Sequence, residues 1–209
     1  MNINTIIFDF GGVIVRLSSD EAVKRFRELG LADAQQRLGK YHQSGIFGDL
    51  EEGKITAGEF QDQLSRLVGR TLTHQECAYA WQGYAAEVPE NVLKALTELR
   101  RQGYRLLLLS NTNPFMMEWA MSSRFDGKGH PVNDYFDKLY LSYQLKMMKP
   151  DERVFRQLLM DEDLTPGEVV FIDDGPRNVA VASQLGMTTI CPGEDDDWTV
   201  ELKQLLKTI

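Results

Sequence analysis

The chain has 209 residues, 43% of them hydrophobic and 26% charged, which is typical of a globular protein with a sizeable buried core. Its formal net charge of −8 argues against the basic face that nucleic acids and anionic membrane surfaces require, so we expect neither as a partner. These numbers favour a small-molecule ligand.

The sequence predicts a cytoplasmic location. Its apolar runs are far shorter than the roughly 20 residues of a bilayer span, and no charged segment precedes a cleavable apolar one. Cys77 and Cys191 lack the spacing of a metal-binding or redox pair and cannot form a disulfide framework, which fits a reducing compartment.

The first predicted strand lies in TIIFDFGGVIV, residues 5–15. An isoleucine-rich apolar run bounded by glycine is typical of a strand buried in a parallel sheet. Asp9 then stands at the carboxyl end of this strand, where a charged side chain needs a specific role.

Residues 16–88 follow a helical pattern almost throughout and predict an all-helical insertion. Two capping boxes, Thr56 with Glu59 and Thr73 with Glu76, each precede a periodic apolar series.

From residue 89 onwards strands and helices alternate, which predicts βαβ units and a parallel sheet with helices on both faces. The predicted strands are Tyr104–Ser110, Lys138–Ser142, Val169–Asp173 and Thr188–Cys191, with helices beginning near Pro114, Pro150, Pro176 and Trp198. The predicted fold is therefore α/β, with a Rossmann-like core formed by residues 1–15 and 89–209 and a helical insertion over residues 16–88.

Polar side chains follow the predicted strands. They are Asp9, Ser110, Asn111, Lys149, Asp173 and Asp174. Because ligands of open α/β sheets bind outside the carboxyl ends of the strands, we expect these side chains at one site. Carboxylates gathered there repel one another unless a cation lies among them, and oxygen ligands favour Mg²⁺. Such a site can hold a phosphoryl group, and an aspartate can attack that group as a nucleophile.

Four stretches resemble, in order and spacing, the four motifs of the haloacid dehalogenase (HAD) superfamily. They are FDFGGV, LLSNTN, KMMKPDERVF and FIDDGPRNVAVASQLGM. The insertion stands where that superfamily carries its helical cap domain, and the resemblance covers essentially the whole chain. The implied metal ligands for Mg²⁺ are Asp9, which is also the nucleophile, the Gly11 carbonyl, Asp174 and the adjacent Asp173. The implied phosphoryl-binding groups are Ser110, Asn111, Lys149 and the backbone amides at Gly11 and Gly12, with Lys149 and Ser110 joining Asp9 in catalysis.

Some further residues have two possible interpretations. In the cap, Phe47, Trp81 and Tyr84 are candidates for lining the substrate pocket, although aromatic residues on helices more often belong to a core. Asn178 either orients the metal site or is an exposed residue of a helix.

The sequence departs from the superfamily pattern at Gly11. Most phosphatases of the superfamily have a second aspartate there, which protonates the leaving group and then activates water. Loss of such an acid costs about 10²- to 10⁴-fold in rate unless water, the substrate or the cap supplies another. A bacterial subgroup similar to α-D-glucose-1-phosphate phosphatase tolerates glycine at this position, and LEEGKITAGEF and AWQGY also resemble that subgroup.

The sequence therefore favours a Mg²⁺-dependent phosphatase that hydrolyses a small phosphorylated metabolite, such as glucose 1-phosphate, through an aspartyl-phosphate. Two alternatives stay open at this point. One is a 2-haloacid dehalogenase, which needs no metal and therefore no Asp173–Asp174 pair. The other is a HAD-like binding or regulatory protein in which Gly11 marks lost chemistry. The sequence leaves both a monomer and a dimer open.

Overall fold

A computed structural model describes residues 3–39, 43–193 and 196–208 and shows seven strands within these ranges. The strands are β1 Thr5–Phe8, β2 Arg16–Leu17, β3 Ala85–Glu87, β4 Arg105–Ser110, β5 Lys138–Leu141, β6 Val169–Ile172 and β7 Thr188–Ile190. Five of them form one sheet in the order β5-β4-β1-β6-β7, and every neighbouring pair in this sheet is parallel. The predicted α/β core is confirmed.

The helices of the first half of the chain are α1 Ser19–Glu28, α2 Ala34–Arg37, α3 Ile46–Glu51, α4 Ala57–Val68 and α5 His74–Trp81. Those of the second half are α6 Glu90–Arg101, α7 Pro114–Ala120, α8 Ser142–Leu145, α9 Glu152–Asp161, α10 Pro176–Gln184 and α11 Trp198–Thr208. None of the helices in the described ranges is both long enough and apolar enough to cross a membrane.

Strand β1 lies at the centre of the sheet, and all four of its residues are buried. Its side chains alternate between two hydrophobic clusters, because Ile6 and Phe8 pack on one face while Ile7 packs on the other. Helices therefore cover both faces of the sheet, which explains why this strand is a continuous apolar run.

A third hydrophobic cluster lies mainly in the insertion, where side chains of α1, α3, α4 and α5 pack together with Phe115 and Met116 of α7. Both predicted capping boxes are confirmed at the starts of α4 and α5. The insertion is helical except at its base, where β2 and β3 pair antiparallel. This ribbon lies where the chain leaves and re-enters the core, and we propose on that basis that residues 16–88 form a cap domain.

Phe47 does not line the substrate cavity described below, so the structure corrects the prediction for this residue. Its side chain is fully buried in the cap cluster. Its ring packs against Phe26, Phe60 and Trp81, with ring centroids 5.1, 5.2 and 5.6 Å away. The helical apolar pattern did not reveal which of the cap aromatics face inward.

Replacing Phe47 by alanine tests this assignment. We expect Phe47→Ala to lower the free energy of unfolding by about 3–5 kcal/mol, because it removes a buried ring and leaves a cavity. Phe47→Leu, which keeps most of the apolar volume, is the control and should cost less. Denaturant unfolding measures both, and a loss below about 1 kcal/mol for the alanine variant would contradict a core position.

Candidate active site

The carboxyl edge of the sheet brings three aspartates together. Asp9 follows β1, and Asp173 and Asp174 follow the neighbouring strand β6. One carboxylate oxygen from each of the three lies within 4.8 Å of the others. The expectation that these carboxylates meet at one edge agrees with this geometry.

Lys149 provides the positive charge that holds two of these carboxylates. Its ammonium lies 2.8 Å from Asp9 Oδ1 and 2.6 Å from Asp173 Oδ2, and it donates a further hydrogen bond of 2.7 Å to the Leu109 carbonyl. The lysine side chain is 1% exposed. Burial alone would lower the pKa of Lys149, but Asp173 and Asp9 outweigh burial and raise it, so the side chain is charged.

The pKa of Asp9 reflects the same balance. Burial raises it to about 7, Lys149 opposes this increase, and the charge of Asp173 adds to it. Three carboxylates therefore lie close together, and the lysine that contacts two of them neutralises only part of their charge. A divalent cation among them would offset the excess, and an all-oxygen set of donors fits Mg²⁺.

Asp173 is held from several sides and is fully buried. Its Oδ1 accepts hydrogen bonds from the Gly175 amide at 2.7 Å and from Asn178 Nδ2 at 2.9 Å. Its Oδ2 accepts a hydrogen bond from the Lys149 ammonium. Asn178 therefore orients the Asp173 carboxylate. Of the two interpretations of Asn178, this contact supports a role in orienting the site. We propose that Asp173 mainly positions Lys149 and that Asp174 is the more direct metal ligand.

Asn111 holds the backbone of Lys149 in place. Its Nδ2 donates to the Lys149 carbonyl at 2.8 Å, and its Oδ1 accepts from the Lys149 amide at 2.9 Å. Ser110 is 2% exposed and lines the cavity, and its hydroxyl makes a long 3.4 Å contact to the Asn111 carbonyl. The structure thus gives the Asn111 amide a positioning role, while the contacts of both residues with a phosphoryl group stay predictions.

The two glycines that follow Phe10 lie close to other side chains. Gly12 has φ +78°, and a Cβ built on it would lie 2.3 Å from Asp174 Oδ2. A side chain at Gly12 would therefore displace the Asp174 carboxylate. A Cβ on Gly11 would lie 2.7 Å from Leu17 Cδ1, so Leu17 of β2 occupies the space next to the usual acid position.

A cavity of about 580 Å³ lies between this cluster and the cap. On the core side it is lined by Asp9, Gly11, Ser110, Asn111, Asn113, Lys149 and Asp174, among others. On the cap side it is lined by Leu17, Gln43, Glu51, Trp81 and Tyr84. The cavity thus joins the predicted nucleophile to two of the three predicted cap aromatics.

The sequence interpretation missed Gln43, Glu51 and Asn113. Glu51 is half-buried at the end of α3, and burial raises the pKa of its carboxyl to about 8, with a smaller lowering contribution from the nearby Asn113 amide. Glu51 and Glu52 are adjacent in LEEGKITAGEF, and only the end of α3 determines which of them faces the cavity. The sequence pattern carried no signal for that choice.

The known proteins that this chain resembles agree with one another in family. The family model of haloacid dehalogenase-like hydrolases matches residues 3–186. The chain is 49% identical over 206 residues to the D-ribitol-5-phosphate phosphatase of Bacteroides thetaiotaomicron, which covers 99% of this chain and 100% of that protein. A solved structure of a predicted HAD-like hydrolase from Porphyromonas gingivalis has a TM-score of 0.92 at 40% identity and covers 99% of both chains.

A second solved structure relates directly to the carboxylate cluster. It is a HAD family enzyme from Bacteroides thetaiotaomicron in complex with magnesium and inorganic phosphate, with a TM-score of 0.85 at 32% identity, covering 96% of this chain and 99% of the other. The fold, the site and these matches place the chain in the HAD superfamily of hydrolases, to which it belongs. Within that superfamily it is a phosphoric monoester hydrolase.

Proposed function

We propose that this chain is a Mg²⁺-dependent phosphatase that hydrolyses a small phosphorylated polyol or sugar through an aspartyl-phosphate on Asp9. The observation that carries the proposal is the contact of Asp9 with Lys149, beside Asp173 and Asp174, at the floor of a cavity covered by the cap. In this arrangement a carboxylate nucleophile faces a compartment of the size that a small metabolite needs.

In the first step a carboxylate oxygen of Asp9 forms a bond to phosphorus while the bond from phosphorus to the ester oxygen breaks. The alcohol leaves with a proton. In the second step water attacks phosphorus, inorganic phosphate is released and the Asp9 carboxylate is regenerated. Lys149 stabilises the negative charge on the phosphoryl oxygens during both steps. When bound by Asp9, Asp174 and the Gly11 carbonyl, magnesium supplies further charge neutralisation.

The two alternatives fit the site less well. A dehalogenase needs no metal, so it has no use for Asp174 beside Asp9 and Asp173. A binding protein without chemistry has no use for a nucleophile held at 2.8 Å by a buried lysine. Turnover of a phosphate ester separates both alternatives from the proposal.

The cavity wall supports a hydroxyl-rich substrate. The cavity is lined by polar side chains, among them Gln43, Ser110 and Asn113. Side chains of this kind would exchange hydrogen bonds with the hydroxyl groups of a substrate. The 49% identical relative acts on D-ribitol 5-phosphate, which supports a sugar-alcohol phosphate over glucose 1-phosphate as the substrate.

We further propose a cytoplasmic location. Cys77 is a buried free thiol and Cys191 an exposed one, which fits a reducing compartment.

The nucleophile assignment is tested with p-nitrophenyl phosphate, whose leaving group needs little protonation. We expect hydrolysis that requires added Mg²⁺ and is lost in Asp9→Asn, because the amide is a poor nucleophile. Asp62→Asn, at an exposed position of α4, is the matched control and should keep the wild-type rate. Wild-type turnover in the Asp9 variant, or an equal rate in the presence of a chelator, would contradict the proposal.

The substrate class is tested by comparing kcat/KM for D-ribitol 5-phosphate and glucose 1-phosphate. We expect at least a tenfold preference for the sugar-alcohol phosphate, which corresponds to about 1.4 kcal/mol in transition-state stabilisation. A preference for glucose 1-phosphate would instead favour the specificity that the sequence resemblance suggests.

A further inference from the structure

The proposed reaction lacks a proton donor at the usual position. An alkoxide leaving group needs a proton as the phosphorus–oxygen bond breaks, and Gly11 cannot provide one. The structure shows that the adjacent space is filled by Leu17, whose Cδ1 would lie 2.7 Å from a Cβ at Gly11. A proton donor must therefore come from another wall of the cavity.

Glu51 is the acidic residue that the cap contributes to the cavity. Among the described residues that line the cavity, the carboxyl groups are those of Asp9, Asp174 and Glu51. Asp9 and Asp174 belong to the anionic cluster with Asp173, whereas Glu51 comes from the cap. A substrate whose phosphoryl group lies at Asp9 would therefore extend its alcohol part towards the cap, which carries Glu51.

The end of α3 is attached firmly to the core. The Ser142 hydroxyl donates a 2.6 Å hydrogen bond to the Glu51 carbonyl and accepts one of 3.0 Å from the Thr112 amide. Two residues after Glu51, Gly53 has φ +68°, and a Cβ there would lie 2.1 Å from the Tyr143 carbonyl. These contacts fix the Glu51 backbone relative to the loop that follows β4, which begins with Asn111 directly after Ser110.

The surroundings of Glu51 keep its side chain protonated. Burial raises the pKa of this carboxyl to about 8, so the acid form predominates at neutral pH. Burial also raises the pKa of the neighbouring Tyr84 phenol, with a further contribution from Glu51, so this phenol is neutral too. A neutral carboxyl group in an active-site cavity is a suitable general acid.

We propose that Glu51 donates a proton to the leaving oxygen and afterwards accepts one from the attacking water, an inference that rests on the proposed phosphatase function. In the first step the O–H bond of the Glu51 carboxyl breaks as the alcohol forms. In the second step the Glu51 carboxylate takes a proton from water as the water oxygen bonds to phosphorus. Each cycle thus returns Glu51 to its protonated form and Asp9 to its free carboxylate.

The test is Glu51→Gln measured on two substrates with leaving groups of different quality. We expect kcat/KM for D-ribitol 5-phosphate, whose alkoxide needs a proton, to fall about 10²- to 10⁴-fold. For p-nitrophenyl phosphate kcat/KM, which reports only the transfer of the phosphoryl group to Asp9, should change little, and this also shows that the variant is folded. The kcat should fall for both substrates, because the second step loses its base. Glu52→Gln is the matched control, because Glu52 is the next residue and its carboxylate pairs with Lys54 at 2.5 Å. This control should match the wild type on both substrates.

Two outcomes would overturn the assignment of Glu51. An equal fall in kcat/KM on both substrates would assign Glu51 to binding or to structure, and an unchanged kcat/KM on both would show that the proton comes from elsewhere. Failure of the proposed function would look different. In that case the wild-type enzyme with Mg²⁺ would hydrolyse neither substrate, and the inference about Glu51 would fall with the phosphatase itself.

Discussion

The structure depends on one buried ion pair, in which the ammonium of Lys149 is held between Asp9 and Asp173. Both partners of each contact are largely removed from water. Removing one partner of such a pair leaves an uncompensated buried charge, which typically lowers the free energy of unfolding by about 3–5 kcal/mol. The parallel sheet makes the pair possible, because β1 and β6 are neighbours and end at the same edge. Asn111 and Asn178 then fix the lysine backbone and the Asp173 carboxylate.

This ion pair also explains why the site needs a further cation. Lys149 neutralises part of the charge of Asp9, Asp173 and Asp174, and the burial that raises the pKa of Asp9 opposes its ionised, nucleophilic form. A divalent ion bound among these carboxylates would favour the ionised form of Asp9, so the site needs no further basic side chain. The cap provides the opposite environment, since burial raises the pKa of the half-buried Glu51 and favours its neutral form. The core side of the cavity thus favours an ionised nucleophile, Asp9, and the cap side favours a neutral acid, Glu51.

Much of the core could be predicted from the sequence, whereas much of the cap could not. The strands of the five-stranded sheet and the positions of Asp9 and Asp173 follow from apolar runs that end in polar residues, and the structure places the ends of these strands within one residue of prediction. The strands β2 and β3 at the base of the cap were not predicted. Phe47 and Trp81 are both aromatic residues of cap helices, and both pack in the cap cluster. Only Trp81 also lines the cavity. Glu51 was missed for the same reason, because tertiary packing decides which side of a short helix faces the substrate.

The central claim is that the carboxylates gathered beside Lys149 bind a magnesium ion, and calorimetric titration of the protein with Mg²⁺ tests it most directly. The account predicts saturable binding by the wild-type protein that weakens at least tenfold, or about 1.4 kcal/mol, in Asp174→Asn. Equal affinity in the two proteins, or no binding by either, would contradict it.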